Sequence, residues 1–390
     1  MAAARRAGIP ALSRAEMLAA VCASGTSIGV AGTHGKTTTT TLVSLMLGGT
    51  EGKCGFVVGG DAPGLQTNGT WSPTGLFVVE ADESDGTHEA LPLRGAIITN
   101  IDTDHLDHFG SFTNIVNSFS RFAQGINGPV ALCIDDAELR KISSLLQAEG
   151  REVLTYGVQG KNADIGIAAS NIEATASGMT FFVHIAPNIL EKYQGQRRFV
   201  VNLRARGMHN VLNALGALAI ALRFGATQEE VTQVLGEFQG VARRFDIQSE
   251  TDGITLIDDY AHLPAEISAT IHAVRSHPAL TGRVVAVFQP NRYHRIATMA
   301  DSYADCFARA DRIVITDVYA SGTQKIEGVT GELVVNAIRN AHHDAEVVWA
   351  PSRADTVAAV ESLIAPGDIC VSMGCGDIES FPDDLRGVLR

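Results

Sequence analysis

The chain has 390 residues, of which 45% are hydrophobic and 19% charged, and it carries a formal net charge of -13. That length suits more than one compact domain with sizeable cores, and the acidic balance leaves no basic face for a nucleic-acid backbone, which excludes nucleic acid as a bulk partner. Any phosphate bound here must be held locally, by backbone N–H groups, a few cations and metal.

The start, Met1–Arg6, is basic but lacks the apolar core of a signal peptide, and no apolar run approaches the length of a membrane span. A cytoplasmic protein with no membrane partner is expected. Ser13 can cap a helix over Arg14–Val21, with Glu16 at the reciprocal capping position. A β-branched strand, Ser27–Ala31, leads through a glycine-containing loop into a threonine-rich helix, Lys36–Leu47. Apolar runs at Leu76–Ala81, Ala96–Ile101 and Pro129–Ile134 read as parallel strands covered on both faces. Asp164–Val201 alternates and carries turn residues, so a small antiparallel patch is expected there. An amphipathic helix follows at His209–Leu222. After Gly240 the pattern restarts. Strands at Ile254–Asp258, Arg283–Phe288, Arg312–Asp317 and Ile369–Met373 alternate with helices at Ala265–Val274, Met299–Ala308, Gly331–Asn340 and Ala354–Leu363. The fold class is therefore α/β, with a mostly parallel sheet plus an antiparallel patch in residues 27–240 and a second, Rossmann-like α/β unit in residues 241–390. Six cysteines, at 22, 54, 133, 306, 370 and 375, form no C-x-x-C pair and read as reduced, buried thiols.

Between the first strand and its helix stands Val30-Ala31-Gly32-Thr33-His34-Gly35-Lys36-Thr37-Thr38. Glycines at 32 and 35 let the backbone approach an anion, the helix N-terminus offers free N–H groups, and Lys36 adds a point charge for phosphates. Thr37 stands where a hydroxyl would hold Mg²⁺. Val30 occupies the place of the first glycine of the general phosphate loop, so this is a shortened variant. Farther on, Glu80-Ala81-Asp82-Glu83-Ser84-Asp85 places carboxylates at a strand's C-terminal end, the edge where α/β sheets bind ligands. They suit either a hard cation or a solvated acidic turn. His105, in Thr99-Asn100-Ile101-Asp102-Thr103-Asp104-His105-Leu106-Asp107, reads by itself as a surface residue, as does His108.

Gly32-Thr33-His34-Gly35-Lys36-Thr37-Thr38 resembles the ATP loop of Mur ligases, in its L-alanine-adding branch, and the Glu-Ala-Asp-Glu-Ser-Asp and Thr-Asn-Ile-x-x-Asp-His-Leu-Asp segments are similar to further motifs of that family. The resemblance implies ATP bound by Gly32, Thr33, His34, Gly35, Lys36, Thr37 and Thr38. It also implies two Mg²⁺ ions, with Thr37, Glu80 and His105 as ligands. Gly207-Met208-His209-Asn210-Val211-Leu212-Asn213, otherwise a helix start, resembles the segment that lies by the adenine and ATP, which makes His209, Asn210 and Asn213 nucleotide contacts. Arg243-Arg244-Phe245 and Asp258-Asp259-Tyr260-Ala261-His262, otherwise a solvated junction, resemble motifs of the family's C-terminal domain. By that likeness Arg244 meets the γ-phosphate, Asp259 the nucleotide's ribose, and Tyr260 and His262 the substrates. The branch usually carries histidine where Leu263 and Asn291 stand. Arg292 and Arg295, three apart beyond a strand end, suit a carboxylate or diphosphate. Gly374-Cys375-Gly376 lacks the third glycine of a dinucleotide loop, and no helix is expected after it.

The resemblance implies a ligase that joins UDP-N-acetylmuramate to L-alanine through an acyl phosphate, with Lys36, Glu80, His105 and Arg244 as catalytic residues. Residues 1–26 resemble only the final turn and helix of the UDP-binding domain that precedes the ATP domain in this branch. Two other readings stay open: another Mur-type amide ligase (murein tripeptide ligase or folylpolyglutamate synthase), or an ATP-binding remnant without ligase activity.

Overall fold

A computed structural model of the chain describes residues 6–9, 11–158, 165–175, 177–190, 193 and 195–389. Residues 1–5 of the basic start, Pro10 and Asp164 of the antiparallel stretch lie outside the described residues. The chain divides into two compact units, Met1–Glu173 with Gly178–Ala205 and His209–Val241, and Ala242–Arg390 with Ala174–Ser177 and Arg206–Met208.

Among the described residues the first unit is built on ten strands: β1 (Thr26–Ala31), β2 (Gly55–Val57), β3 (Gly69–Thr70), β4 (Leu76–Glu80), β5 (Gly95–Ile98), β6 (Val130–Cys133), β7 (Val153–Val158), β8 (Ile167–Thr175), β9 (Gly178–Ile185) and β10 (Arg198–Leu203). Their order across the sheet is β10-β9-β8-β7-β6-β5-β1-β4-β2-β3. Every pairing from β2 through β4, β1, β5, β6 and β7 to β8 is parallel, whereas β9–β10 and β2–β3 are antiparallel. β5 and β6 are buried along their whole length, and β10 alternates buried with exposed residues. Continuous and alternating apolar runs thus mark strands covered on two faces and on one. β1 lies between β4 and β5, so the chain crosses to opposite sides of it, and such a switch point opens a crevice at the strands' C-terminal ends.

The second unit has β11 (Asp246–Thr251), β12 (Ile254–Asp259), β13 (Val284–Phe288), β14 (Arg312–Ile315), β15 (Val347–Trp349) and β16 (Ile369–Met373), in the order β11-β12-β16-β13-β14-β15. Among the described residues of this unit, only the β11–β12 pairing is antiparallel. Register aligns Asp259, Met373 and Phe288, so the loops after β12, β16 and β13 leave the same edge.

The capping box of Arg14–Ala23 forms as expected, Ser13 accepting from the Glu16 N–H and Glu16 accepting from the Ser13 N–H. The helix Lys36–Met46 overcomes its run of β-branched threonines by burying them. Thr40 and Thr41 donate their hydroxyls to the carbonyls of Lys36 and Thr37, each at 2.8 Å, so no lost hydrogen bond opposes the burial of these two, whereas the Thr39 hydroxyl is buried with no hydrogen-bond partner among the described residues. One expected helix is displaced: instead of Met299–Ala308, a helix covers Tyr293–Met299 and a 3-10 turn covers Ala300–Tyr303. Tyr303 and Phe307 are both buried, and their four-residue spacing imitates a helical face although the backbone reaches it by turns. A helix, Phe381–Val388, also follows the Gly374-Cys375-Gly376 loop where none was expected. Among the described residues no helix is long and apolar enough to cross a membrane.

Candidate active site

The loop between β1 and Lys36–Met46 is shaped by its two glycines. Gly32 has φ +124°, and a Cβ there would collide with Thr99 Oγ1; Gly35, at φ +81°, would collide with the Asn213 carboxamide. Asn213 and Asn210 are both buried and bond to each other at 3.4 Å. They brace the loop from the helix Met208–Arg223, with His209 half-buried in its first turn. The other brace is the segment after β5. Asn100 accepts from the His34 N–H at 2.9 Å and donates to the His34 carbonyl at 3.0 Å, while Thr33 Oγ1 accepts from the Asp102 N–H at 2.9 Å. The His34 ring meets Asp102 at 3.1 Å. Thr33 and His34 are thus engaged in fixing the loop. The anion-directed groups left are the first N–H groups of the helix at Lys36, Thr37 and the buried Thr38, which have no intrahelical partner.

Two acids of the Glu80–Asp85 cluster turn toward this loop. Thr37 Oγ1 lies 3.1 Å from Glu80 Oε1, and Glu80 Oε2 accepts from the Gly59 N–H at 2.8 Å. Oxygens bound side by side to Mg²⁺, each about 2.1 Å from it, lie about 3 Å apart, so this hydroxyl and carboxylate fit one hard cation. Lys36 Nζ donates to the carbonyls of Gly32 at 2.8 Å and Thr33 at 3.1 Å, and to Glu83 Oε1 at 2.9 Å. Among the described residues no group of three or more His, Cys, Asp and Glu side chains gathers as a metal cluster. His105 is half-buried at φ +50°, its Nε2 3.3 Å from Asp104 Oδ2. The assignment of Glu80 and His105 to a second ion rests on the resemblance, whereas Thr37 and Glu80 lie within reach of one cation. His108 is exposed, as expected.

In the second unit, the edge formed by β12, β16 and β13 carries a second set of candidates. Arg243 is a brace: it bonds Asp258 at 2.9 Å, the Gly374 carbonyl at 2.8 Å and Glu379 at 2.8 Å. Arg244 lies over the Tyr260 ring at 4.9 Å and 3.9 Å from Glu266, which leaves its guanidinium the freer of the two. Asp259 is buried, and accepts from the Phe245 and Ala261 N–H groups at 2.7 and 2.8 Å and from the Thr270 hydroxyl at 3.2 Å. Burial pushes its carboxyl up to about 6, against the pull of Arg244. These donors occupy all but one of its carboxylate lone-pair sites, so its geometry is that of a loop anchor more than of a ribose contact. His262 is held by Glu266 at 3.3 Å and the Tyr260 carbonyl at 3.1 Å. Arg292, at φ +61°, precedes the helix Tyr293–Met299, and Arg295 turns inward, only 5% exposed, to donate to Asn291 at 2.9 Å. Asn291 in turn donates to Cys375 Sγ at 2.8 Å, and Leu263 is buried at 2% exposure. The two arginines expected to act together thus differ, Arg295 buried and bracing the loop and Arg292 half-buried before the helix.

Residues 30–221 match the Mur ligase middle domain, and residues 243–376 match the Mur ligase, glutamate ligase domain. The chain belongs to the Mur ligase family. A UDP-N-acetylmuramate–L-alanine ligase of Rhodospirillum centenum is 38% identical over 99% of this chain and 78% of its own length. One from Mycolicibacterium vanbaalenii is 38% identical over 96% of this chain and 77% of its length. Among solved structures, the UDP-N-acetylmuramate–alanine ligase of Thermotoga maritima superposes with a TM-score of 0.76 at 25% identity, covering 100% of this chain and 81% of that one. The MurF ligase of Thermotoga maritima, solved with ADP, shares the fold at a TM-score of 0.73 and 17% identity, covering 97% of this chain and 85% of that one.

Within this Mur ligase, Glu83 of the acidic motif is a further site residue that its sequence context does not single out. Glu83 is 2% exposed and directly paired with Lys36. Its only sequence signal is the spacing of three from Glu80, which cannot say which carboxylates of a cluster turn inward.

Proposed function

We propose that this chain is an ATP-dependent ligase forming the amide bond between UDP-N-acetylmuramate and L-alanine, in peptidoglycan synthesis in the cytoplasm. The observation that carries the reading is 38% identity, over 99% of the chain, to a ligase of that name. The Thr37–Glu80 pair at 3.1 Å beside the phosphate-loop lysine supports it.

In the first step a lactyl carboxylate oxygen attacks the γ-phosphorus of ATP; the bond to the β–γ bridging oxygen breaks, and ADP leaves with that electron pair. In the second, the neutral amine of L-alanine attacks the acyl carbon, a proton is lost from nitrogen, and the carbon–oxygen bond to phosphate breaks. Both partners of the first step are anions, so their approach requires compensating charge. Lys36 supplies it at the phosphates, with the helix N–H groups of Thr37 and Thr38. Mg²⁺ held by Thr37 and Glu80 would supply further neutralisation. A second ion at His105 is part of the proposed set, and no step here depends on it. In the second unit, Arg244 is assigned to developing phosphate charge, Asp259 to the nucleotide side, and Tyr260, His262, Arg292 and Arg295 to the substrates, Asp259 and Arg295 acting through the loops they anchor. His209, Asn210 and Asn213 are assigned to the nucleotide, the two asparagines through Gly35.

The test is phosphate release from ATP with Mg²⁺ and UDP-N-acetylmuramate, with L-alanine, with a murein tripeptide, or with neither. Release that needs both the sugar nucleotide and L-alanine is expected. Release with the tripeptide in place of L-alanine would make the chain a murein tripeptide ligase. Nucleotide binding without release would leave an ATP-binding remnant.

A further inference from the structure

Lys36 is assigned to phosphate charge above, but its partner Glu83, only 2% exposed, has no part in the steps just described. An ammonium has three N–H donors, and all three of Lys36 are engaged, by Gly32, Thr33 and Glu83. A phosphate can therefore gain this lysine only by displacing a partner it already has. Glu83 Oε1 accepts from Lys36, while Glu83 Oε2 is buried with no hydrogen-bond partner among the described residues. Lys36 is thus the sole described cation on this carboxylate.

We propose that Glu83 is a positioning residue that holds Lys36 in the nucleotide-free protein and yields it to the nucleotide phosphates in exchange for a proton from solvent. The proposal rests on reading the loop as a nucleotide site. Its physical basis is the cost of a buried charge. A carboxylate 2% exposed is tolerated while an ammonium lies 2.9 Å away, and once that ammonium turns to a phosphate the charge is uncompensated and the neutral acid is the cheaper state. Lys36 stays protonated throughout; the proton goes to a Glu83 oxygen and comes from the buffer. The charged groups facing Glu83 are Lys36 from the helix Lys36–Met46 and Asp82 from its own loop, while Glu80 and Asp82 also face Lys36 and the buried His88 lies within electrostatic reach of it. Asp82 makes ionisation of Glu83 harder still. Burial already pushes the Glu83 carboxyl above the usual carboxylate range, even with Lys36 beside it.

The experiment is calorimetric titration of ADP and Mg²⁺ into the full chain near neutral pH, in buffers of different ionisation enthalpy. The slope of heat against buffer enthalpy counts protons taken up, and the nucleotide's own protons cancel between wild type and Glu83→Gln. Wild type is expected to take up about one more proton per ADP than Glu83→Gln. The variant is expected to bind ADP several-fold more tightly, because the amide still accepts from Lys36 but holds it without charge. Infrared difference spectra of wild type should also gain a protonated-carboxyl band on ADP addition, a readout that stands even if Glu83→Gln does not fold. Equal proton uptake in both proteins, or no such band while ADP binds, overturns the proposal and leaves the nucleotide site intact. Absence of ADP binding by wild type would instead overturn the site reading, and this inference with it.

Discussion

At the scale of single residues, the site rests on a hydroxyl, carboxylates and glycines held at short distances. Thr37→Val keeps the β-branched shape and removes the oxygen that lies 3.1 Å from Glu80. Phosphate release is expected to fall about 100-fold, as a cation loses one of its anchors, with helix content unchanged by circular dichroism. A drop in helix content matching the lost activity would make Thr37 structural. Gly35 and Gly52 offer an internal comparison. Both have positive φ, +81° and +72°, but a Cβ at Gly35 meets Asn213 whereas one at Gly52 meets nothing within 4 Å. Gly52→Ala should therefore cost only the left-handed backbone term, about 1–2 kcal/mol. Gly35→Ala should cost clearly more in urea unfolding and also abolish ADP binding. Equal costs at the two positions would show that Asn213 does not hold the loop.

At the scale of elements, the short helix Thr87–Ala90 packs on Phe112–Gly125 through a buried histidine. His88 lies 5.5 and 5.4 Å from the Phe119 and Phe122 rings, and Ser118 approaches its Nε2 at 3.1 Å. Burial lowers its pKa from an ordinary 6.5 to about 4. The unfolded chain therefore binds a proton between those values that the folded one refuses. Stability is fully present above pH 6.5 and is lost as pH falls toward 4, by about 3 kcal/mol from this group. His88→Phe, which keeps an aromatic ring in the site, should flatten that part of the profile in urea unfolding measured across the same pH range. An unchanged slope would show that the pH dependence comes from carboxylates. The displaced helix at Tyr293–Met299 teaches a related lesson. Apolar spacing of three or four marks an inward face, and turns or 3-10 geometry can present that face as well as an α-helix does.

At the scale of the molecule, each sheet has its own core. One cluster of buried residues runs from Cys22 to Val241, and two others, between Phe245 and Leu385, cover the second sheet. A fragment of residues 242–390 is expected to unfold cooperatively by itself, with a single urea transition seen alike by fluorescence and circular dichroism. A fragment with no transition would show that its core is incomplete. Cys22, Cys54, Cys133, Cys306 and Cys370 are buried as expected, whereas Cys375 is partly exposed and accepts from Asn291.

Much of this was legible in the residues. β1, β5, β6, β13 and β16 announce themselves because a strand buried on both faces must be apolar throughout, and Gly32, Gly35 and Lys36 because few other residues allow a backbone to close around an anion. The three-residue β2 and β15 were not legible, since so short a run carries too little pattern to separate strand from loop. By itself the sequence determined the α/β class, the phosphate loop and the family. Only the tertiary structure decided which of several like-charged side chains face a ligand and which brace a loop: Glu83 on Lys36, Asp259 on its neighbours' N–H groups, Arg295 on Asn291. The reason is physical. An acid or arginine at a strand's end has the same chemistry in either role, and what separates them is the donors and acceptors that distant segments bring within about 3 Å.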